Sequence, residues 1–164
     1  MQSIYAPWRQ QYVSNINDIK GCVFCHISRV SDDDENLGII YKDEHCFVVM
    51  NKYPYAPGHF MVIPHTHLEN LEDLDQDIWL HMNKIAYSGV KLIKEVVNAQ
   101  GVNIGINLGQ AAGAGIAEHL HLHLVPRWNR DTNFMTSIAG DTIYSSDCNR
   151  IYKEMKEKFS KYFI

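Results

Sequence analysis

The chain has little of what would place it in several large functional classes. Lysine and arginine total 15 against 19 aspartate and glutamate, a formal net charge of −4. With no positive excess, a role resting on broad attraction to a nucleic-acid backbone or an anionic membrane is excluded. No apolar run approaches the ~20 residues that a membrane-spanning helix needs. Cysteine is scarce: Cys22 and Cys25 form a C-x-x-C pair, Cys46 and Cys148 stand apart, and the set is too small and irregular for a secreted disulfide scaffold. The opening MQSIYAPWRQQYV has no basic region leading into an apolar stretch, so it does not read as a secretory signal. No repeat and no Pro/Gly/Ser-rich linker divides the 164 residues. These absences predict one domain over residues 1–164, cytoplasmic, with no nucleic-acid or membrane partner.

What is present reads as short strands and two longer helices. The segment around Tyr5, Trp8 and Tyr12 suggests an arm packed across the domain. Residues 22–29 suit a short helix. The acidic run SDDDEN at 31–36 suits a solvated loop, because it lacks the ligand spacing and the glycine of a calcium loop. Residues 37–42, 46–51 and 59–63 are β-branched and aromatic runs, separated by Asp43-Glu44 and by the Pro-punctuated Tyr53-Pro54-Tyr55-Ala56-Pro57-Gly58. Asp73 or Asp75 caps a long helix ending near Asn98, with Ile78, Met82, Ile85, Ala86, Gly89, Ile93 and Val96 at helical spacing. Strand character returns at 102–108 and 119–125. A terminal amphipathic helix from about Asn149 carries Tyr152, Met155, Phe159 and Tyr162 on one face. Strands, an inserted helix, then strands predict an antiparallel α+β sheet.

The most informative stretch is His119-Leu120-His121-Leu122-His123-Leu124-Val125. Alternate side chains of a strand share a face, so three imidazoles line one wall while three leucines enter the core. Packing alone does not explain a row of imidazoles. His119 and His123 would stand roughly 13 Å apart along a strand, too far to share one zinc ion at about 2.0–2.1 Å per Zn–N bond. At least one histidine is thus left for chemistry, and a neutral imidazole is a competent nucleophile near pH 7. The Gly-rich loop Gly109-Gln110-Ala111-Ala112-Gly113-Ala114-Gly115 precedes the strand and lets backbone N–H groups approach phosphate oxygens. The combination points to a phosphate ester.

These residues resemble the histidine-triad superfamily, whose signature is His-φ-His-φ-His-φ-φ with φ hydrophobic. The block from Asn51 to Pro64, in which N-x-x-P and then Gly-His lead into a strand ending in proline, is similar to the family's other common block. With the C-x-x-C and the intervening helix the likeness spans roughly residues 22–130. Ala6-Pro7-Trp8-Arg9, Ala114-Gly115-Ile116-Ala117 and Pro126-Arg127-Trp128 resemble the bacterial diadenosine tetraphosphate phosphorylase branch. The resemblance implies a five-stranded, mostly antiparallel sheet with a long helix and a C-terminal helix on one side. It also implies a homodimer with a nucleotide or dinucleoside polyphosphate as partner.

By the same resemblance His121 attacks the α-phosphorus and forms a nucleotidyl-histidine intermediate. His123 and His59 stabilise charge, while Asn51 contacts the ribose and Asn107 the phosphate. Loop amides at Gly113 and Gly115 assist. Asn107 stands one residue further from the triad than in shorter members. Gly115 replaces the usual Ser or Gln, so backbone N–H groups serve there. Zinc-bearing relatives imply a structural zinc on Cys22, Cys25, His67 and His119, with His65 and His26 as competitors and no organic cofactor. Cys46 reads as core, Cys148 as a loop thiol, His45 and His81 as surface or helix-face residues, and Arg127 as a charge-stabilisation candidate. Alternative functions are a nucleoside phosphoramidase and a slow-turnover nucleotide sensor.

Overall fold

The computed structural model describes residues 21–31, 37–129, 131 and 146–162. The expected N-terminal arm and most of the acidic run lie outside them. The elements are α1 (Val23–Arg29), β1 (Ile39–Lys42), β2 (Cys46–Met50), β3 (Phe60–Pro64), α2 (Gln76–Val97), β4 (Gly101–Ile106), β5 (Leu122–Arg127) and α3 (Cys148–Tyr162). The strands form one five-stranded sheet in the order β1-β2-β3-β5-β4, and every neighbouring pair is antiparallel. The α+β expectation holds. None of the described helices is long and apolar enough to cross a membrane.

Strand periodicity assigns the two faces. Cys46, Val48, Phe60, Val62, Leu122 and Leu124 point into the larger core, which α2 and α3 cover. The alternate residues Phe47, Val49, Met61 and Ile63 point the other way and meet Phe24 and Ile27 of α1. The long helix and the C-terminal helix share one side, as expected, and the short helix α1 lies on the other. The β2 and β3 runs are apolar at every position, so both faces need cover, and α1 supplies the second layer.

Helix α2 begins where Asp75, rather than Asp73, caps it: Asp75 Oδ1 accepts from the backbone N–H groups of Asp77 and Ile78. It ends at Asn98, which adopts a left-handed conformation with φ 50°. Its buried stripe runs Met82, Ile85, Ala86, Gly89, Leu92, Ile93 and Val96. Gly89 faces the sheet so closely that a Cβ there would stand 2.8 Å from Phe60 Cζ and 3.0 Å from Leu124 Cδ2. The missing side chain lets Phe60 and Leu124 be fully buried, each stabilising by about 1.5–3 kcal/mol. Helix α3 packs Ile151, Tyr152, Met155 and Phe159 beside α2, and Glu95 of α2 pairs with Lys158 and Lys161. Cys148 is the exposed first residue of this helix rather than a loop thiol.

The β1–β2 hairpin turns at Asp43. Its Oδ1 accepts from the N–H groups of His45 and Cys46, and its Oδ2 pairs with His81 Nε2 at 2.7 Å. Burial raises the Asp43 carboxyl, but the bonds from His81, Cys46 and His45 outweigh it and hold the group below its ordinary range. His81, expected as a bland helix-face residue, is the clamp between hairpin and α2. Cys46 is core, as expected, and burial pushes its thiol well up.

Candidate nucleotide site and metal centre

The parity that sends Met61 to the α1 side sends Asn51, His59 and His123 there as well. Met61 pairs with His123 across β3 and β5, and Gly105 pairs with His123 across β4 and β5. No described atom lies within 4 Å of where a Cβ on Gly105 would stand, so this flank of His123 is open.

Of the triad, His123 lies within β5. Strand β5 begins at Leu122, so His119 and His121 precede the ladder, and Leu120 instead donates its N–H to Leu68. Pairing between β3 and β5 ends at Val62–Leu122, although β3 continues along its other edge with β2 as far as Pro64–Cys46. Ring centroids of His121 and His123 are 4.8 Å apart, and those of His123 and His59 are 5.1 Å apart. His59, His119 and His121 are buried.

Hydrogen bonds assign the tautomers, because an N–H must donate and a carbonyl must accept. His121 Nδ1 lies 2.8 Å from the carbonyl of His119, so its proton sits on Nδ1 and Nε2 keeps a lone pair. The N–H of Tyr55 donates to His59 Nδ1, so the His59 proton sits on Nε2, 2.9 Å from His123 Nδ1. His123 accepts there and carries its own proton on Nε2. Asn51 is held by the Tyr53 N–H on Oδ1, and its Nδ2 stands 3.4 Å from His59 Nε2. Burial is the main reason all these rings stay neutral. It drives His59 down to about 3 and His123 to about 4, with neighbouring imidazoles adding to both. His121 is also lowered by burial, partly offset by its bond to His119.

The remaining expected residues divide. Asn107 follows the Ile106–Leu122 pair, which sets it beside the His121 segment. Gly113 closes the turn Gln110–Ala112 with φ 89°, a conformation that favours glycine, while exposed Gly115 lies further along the same loop. Ile116, at its end, packs against the α1-side core. Arg127 does not join them. It stands four residues down β5 from His123, roughly 13 Å by strand rise, and pairs with Asp131 and Asn103. Two neighbours escaped the sequence reading. Phe24 of α1 packs on His119 and His121, with centroids 5.5 and 5.2 Å away, and Tyr55 stacks on His59 at 5.1 Å. The spacing of Tyr55 four residues before His59 was the only available signal.

Behind the triad, donor atoms of Cys22, Cys25, His67 and His119 all lie within 4.8 Å of one another. His119 Nδ1 is 3.3 Å from Cys22 Sγ and 3.7 Å from Cys25 Sγ, and His67 Nδ1 is 3.3 Å from Cys25 Sγ. Tetrahedral zinc with ordinary bond lengths sets S···N separations of about 3.6 Å. His119 Nε2 donates to the Pro64 carbonyl at 2.9 Å, leaving Nδ1 as the ligand nitrogen. Burial and the neighbouring Cys22 raise the Cys25 thiol, a crowding that a divalent cation would relieve. The set fits zinc, with no open position. His65 is engaged elsewhere, with Ser28 Oγ and the Asp43 carbonyl.

An antiparallel five-stranded sheet with His-x-His-x-His leading into its strand β5, beside a further imidazole, defines the class. A HIT domain matches residues 34–130, and the chain belongs to this family. It is 35% identical over 151 residues to the AP-4-A phosphorylase of Mycobacterium tuberculosis, covering 87% of this chain and 76% of that one. It is 32% identical over 111 residues to the adenylylsulfatase HINT3 of Arabidopsis thaliana, covering 67% of this chain and 54% of that one. A Zn-bound histidine triad family protein from Mycobacterium smegmatis superposes with a TM-score of 0.69 at 29% identity, over 86% of this chain and 94% of that one.

Proposed function

We propose that this protein is a nucleotidyl transferase acting on dinucleoside polyphosphates, with His121 as the nucleophile. The observation that carries the reading is the pair of opposite tautomers: His121 presents a lone pair on Nε2, and His123 presents a proton on Nε2. One ring attacks and its neighbour donates. In the first step a bond forms from His121 Nε2 to the α-phosphorus, and the P–O bond to the leaving nucleotide breaks. The leaving oxygen departs as a phosphate anion that accepts a hydrogen bond from His123 Nε2–H. In the second step a phosphate or water oxygen attacks the same phosphorus, the N–P bond breaks with its electron pair returning to His121 Nε2, and the attacking group's proton passes to the released phosphates or to solvent.

Positioning and charge stabilisation dominate such transfers. His59 holds His123, Asn51 faces the ribose, and Asn107 with the amides at Gly113 and Gly115 faces the non-bridging oxygens. Zinc on Cys22, Cys25, His67 and His119 supplies no step. It would fasten α1 to the sheet, and the reduced thiols it needs suit a cytoplasmic protein. The exposed Ile104 on edge strand β4, with Leu108 just beyond it, supports a homodimer formed along that edge. The AP-4-A phosphorylase relative supports the choice of substrate.

The test is incubation with diadenosine tetraphosphate, with and without inorganic phosphate, and chromatography of the products. ATP plus ADP only when phosphate is present identifies a phosphorylase. ATP plus AMP regardless of phosphate identifies a hydrolase. No cleavage under either condition overturns the polyphosphate reading.

A further inference from the structure

Tyr55 is the residue whose contacts the proposed roles leave unexplained. It lies between β2 and β3, in the loop that ends on His59. Asn51 donates its N–H to the His59 carbonyl, His59 donates its own to the Ala56 carbonyl, and Asn51 Oδ1 accepts from Tyr53. This mesh holds the loop in one conformation with Tyr55 at its crest. The ring is 52% exposed, whereas His59 beneath it is 0% exposed. An aromatic ring that leaves half its surface to water contributes little to the core. Here it lies over an imidazole at 5.1 Å with an interplanar angle of 18°, and 6.2 Å from His123. The same residue's N–H, 3.2 Å from His59 Nδ1, decides which nitrogen of His59 bears the proton.

We infer that Tyr55 is a positioning residue for the reaction: its amide and its ring together hold His59 as the Nε2–H tautomer, and through His59 keep the His123 proton on Nε2. This rests on the reading above, in which His121 attacks and His123 donates. The titratable groups acting on His59 are His123 and His121, and the Asn51 amide also faces it. With the ring in place, water is kept from His59. With the ring gone, His59 gains access to solvent and to its charged form, whose Nδ1–H would oppose the Tyr55 N–H.

The test compares Tyr55→Ala and Tyr55→Phe on two substrates. One is the phosphoramidate of AMP, whose leaving amine depends on a proton donor. The other is the p-nitrophenyl ester of AMP, whose leaving phenolate does not. Tyr55→Ala is expected to lower kcat on the phosphoramidate by at least about tenfold with KM changed less than about threefold, since only the transition state uses the donor. Its acid limb moves to higher pH, and the p-nitrophenyl ester is cleaved at close to the wild-type rate. Tyr55→Phe retains ring and amide and behaves as wild type. Equal losses on both substrates, an unmoved acid limb, or a change confined to KM would overturn the inference. Nitrogen-15 NMR of the unaltered protein tests the arrangement with no substitution: His123 is expected to carry its proton on Nε2, and a proton on Nδ1 refutes it. His121→Ala serves as the control for the parent reading. If that variant still turns over, the assignment of the nucleophile has failed, whatever Tyr55 does.

Discussion

His59 Nε2–H donates to His123 Nδ1 across 2.9 Å, so one proton joins the imidazole just before β3 to the one on the second residue of β5. The bond exists because both rings are neutral, and they are neutral because they are buried. His59 is lowered to about 3 and His123 to about 4, from an ordinary 6.5. Unfolded, both bind protons as the pH falls through 6.5; folded, they resist until about 4 and 3. Their stabilising effect is therefore complete above pH 6.5 and is lost progressively as the pH falls through the folded values. Urea unfolding between pH 7 and pH 4 should show stability falling by up to about 1.4 kcal/mol per pH unit for each histidine. His59→Gln should flatten the slope. A midpoint unchanged across that interval would show that the two rings are already charged or open to solvent.

His121→Ala removes the only ring of the cluster whose Nε2 lone pair is left free by its own backbone bond. Turnover of diadenosine tetraphosphate should fall by at least about a thousandfold, while AMP binding measured by calorimetry changes little. The His119 carbonyl loses its partner, so a modest fall in melting temperature accompanies the change. Retained turnover would remove His121 from the role of nucleophile. Retained binding with an intact biological output would favour a sensor.

The core side of this arrangement was legible from period alone. Leu120, Leu122 and Leu124 are buried as alternation demands, and the α2 stripe follows helical spacing. The site side was only half legible. His119, His121 and His123 were found as residues, yet that pairing stops at Leu122 and leaves His119 and His121 outside the ladder is a fact of strand register that local pattern does not carry. Phe24 and Tyr55 escaped notice for a related reason. Each meets the histidines from a separate element, and an aromatic in a loop or a short helix looks the same whether it covers a leucine or an imidazole. Arg127 erred in the other direction: its place next to the triad in sequence becomes remoteness once β5 is extended.

Gly89 marks how closely α2 approaches the sheet. Gly89→Ala puts a methyl 2.8 Å from Phe60 Cζ, and Leu124 blocks the alternative direction. Overpacking of this kind costs roughly 1–3 kcal/mol, offset in part by the ~1 kcal/mol better helix propensity of alanine. A lower melting temperature is expected, with turnover altered little because Phe60 and Leu124 face away from the histidines. A higher melting temperature would mean that α2 can shift outward without loss of packing.

The metal centre and the histidine cluster meet in one residue. His119 offers Nδ1 to the cysteines, Nε2–H to the Pro64 carbonyl, and its own main-chain carbonyl to His121. Phe24, in the helix that Cys22 caps and Cys25 belongs to, packs on both His119 and His121. A change at the cysteines is thus transmitted to the nucleophile along two routes. Elemental analysis of the purified protein should find one zinc per chain, and Cys25→Ser should largely abolish it. Ligand linkage makes the folded state more stable by about 4 kcal/mol at a free zinc concentration a thousandfold above Kd, so the variant should melt well below wild type. Below that melting temperature its turnover should also be reduced, because both the carbonyl that orients His121 and the ring that backs it are less firmly held. A wild-type chain that contains no zinc and melts identically with and without a chelator would refute the metal centre. Zinc lost from Cys25→Ser with undiminished turnover would instead leave the metal as an anchor of α1 alone.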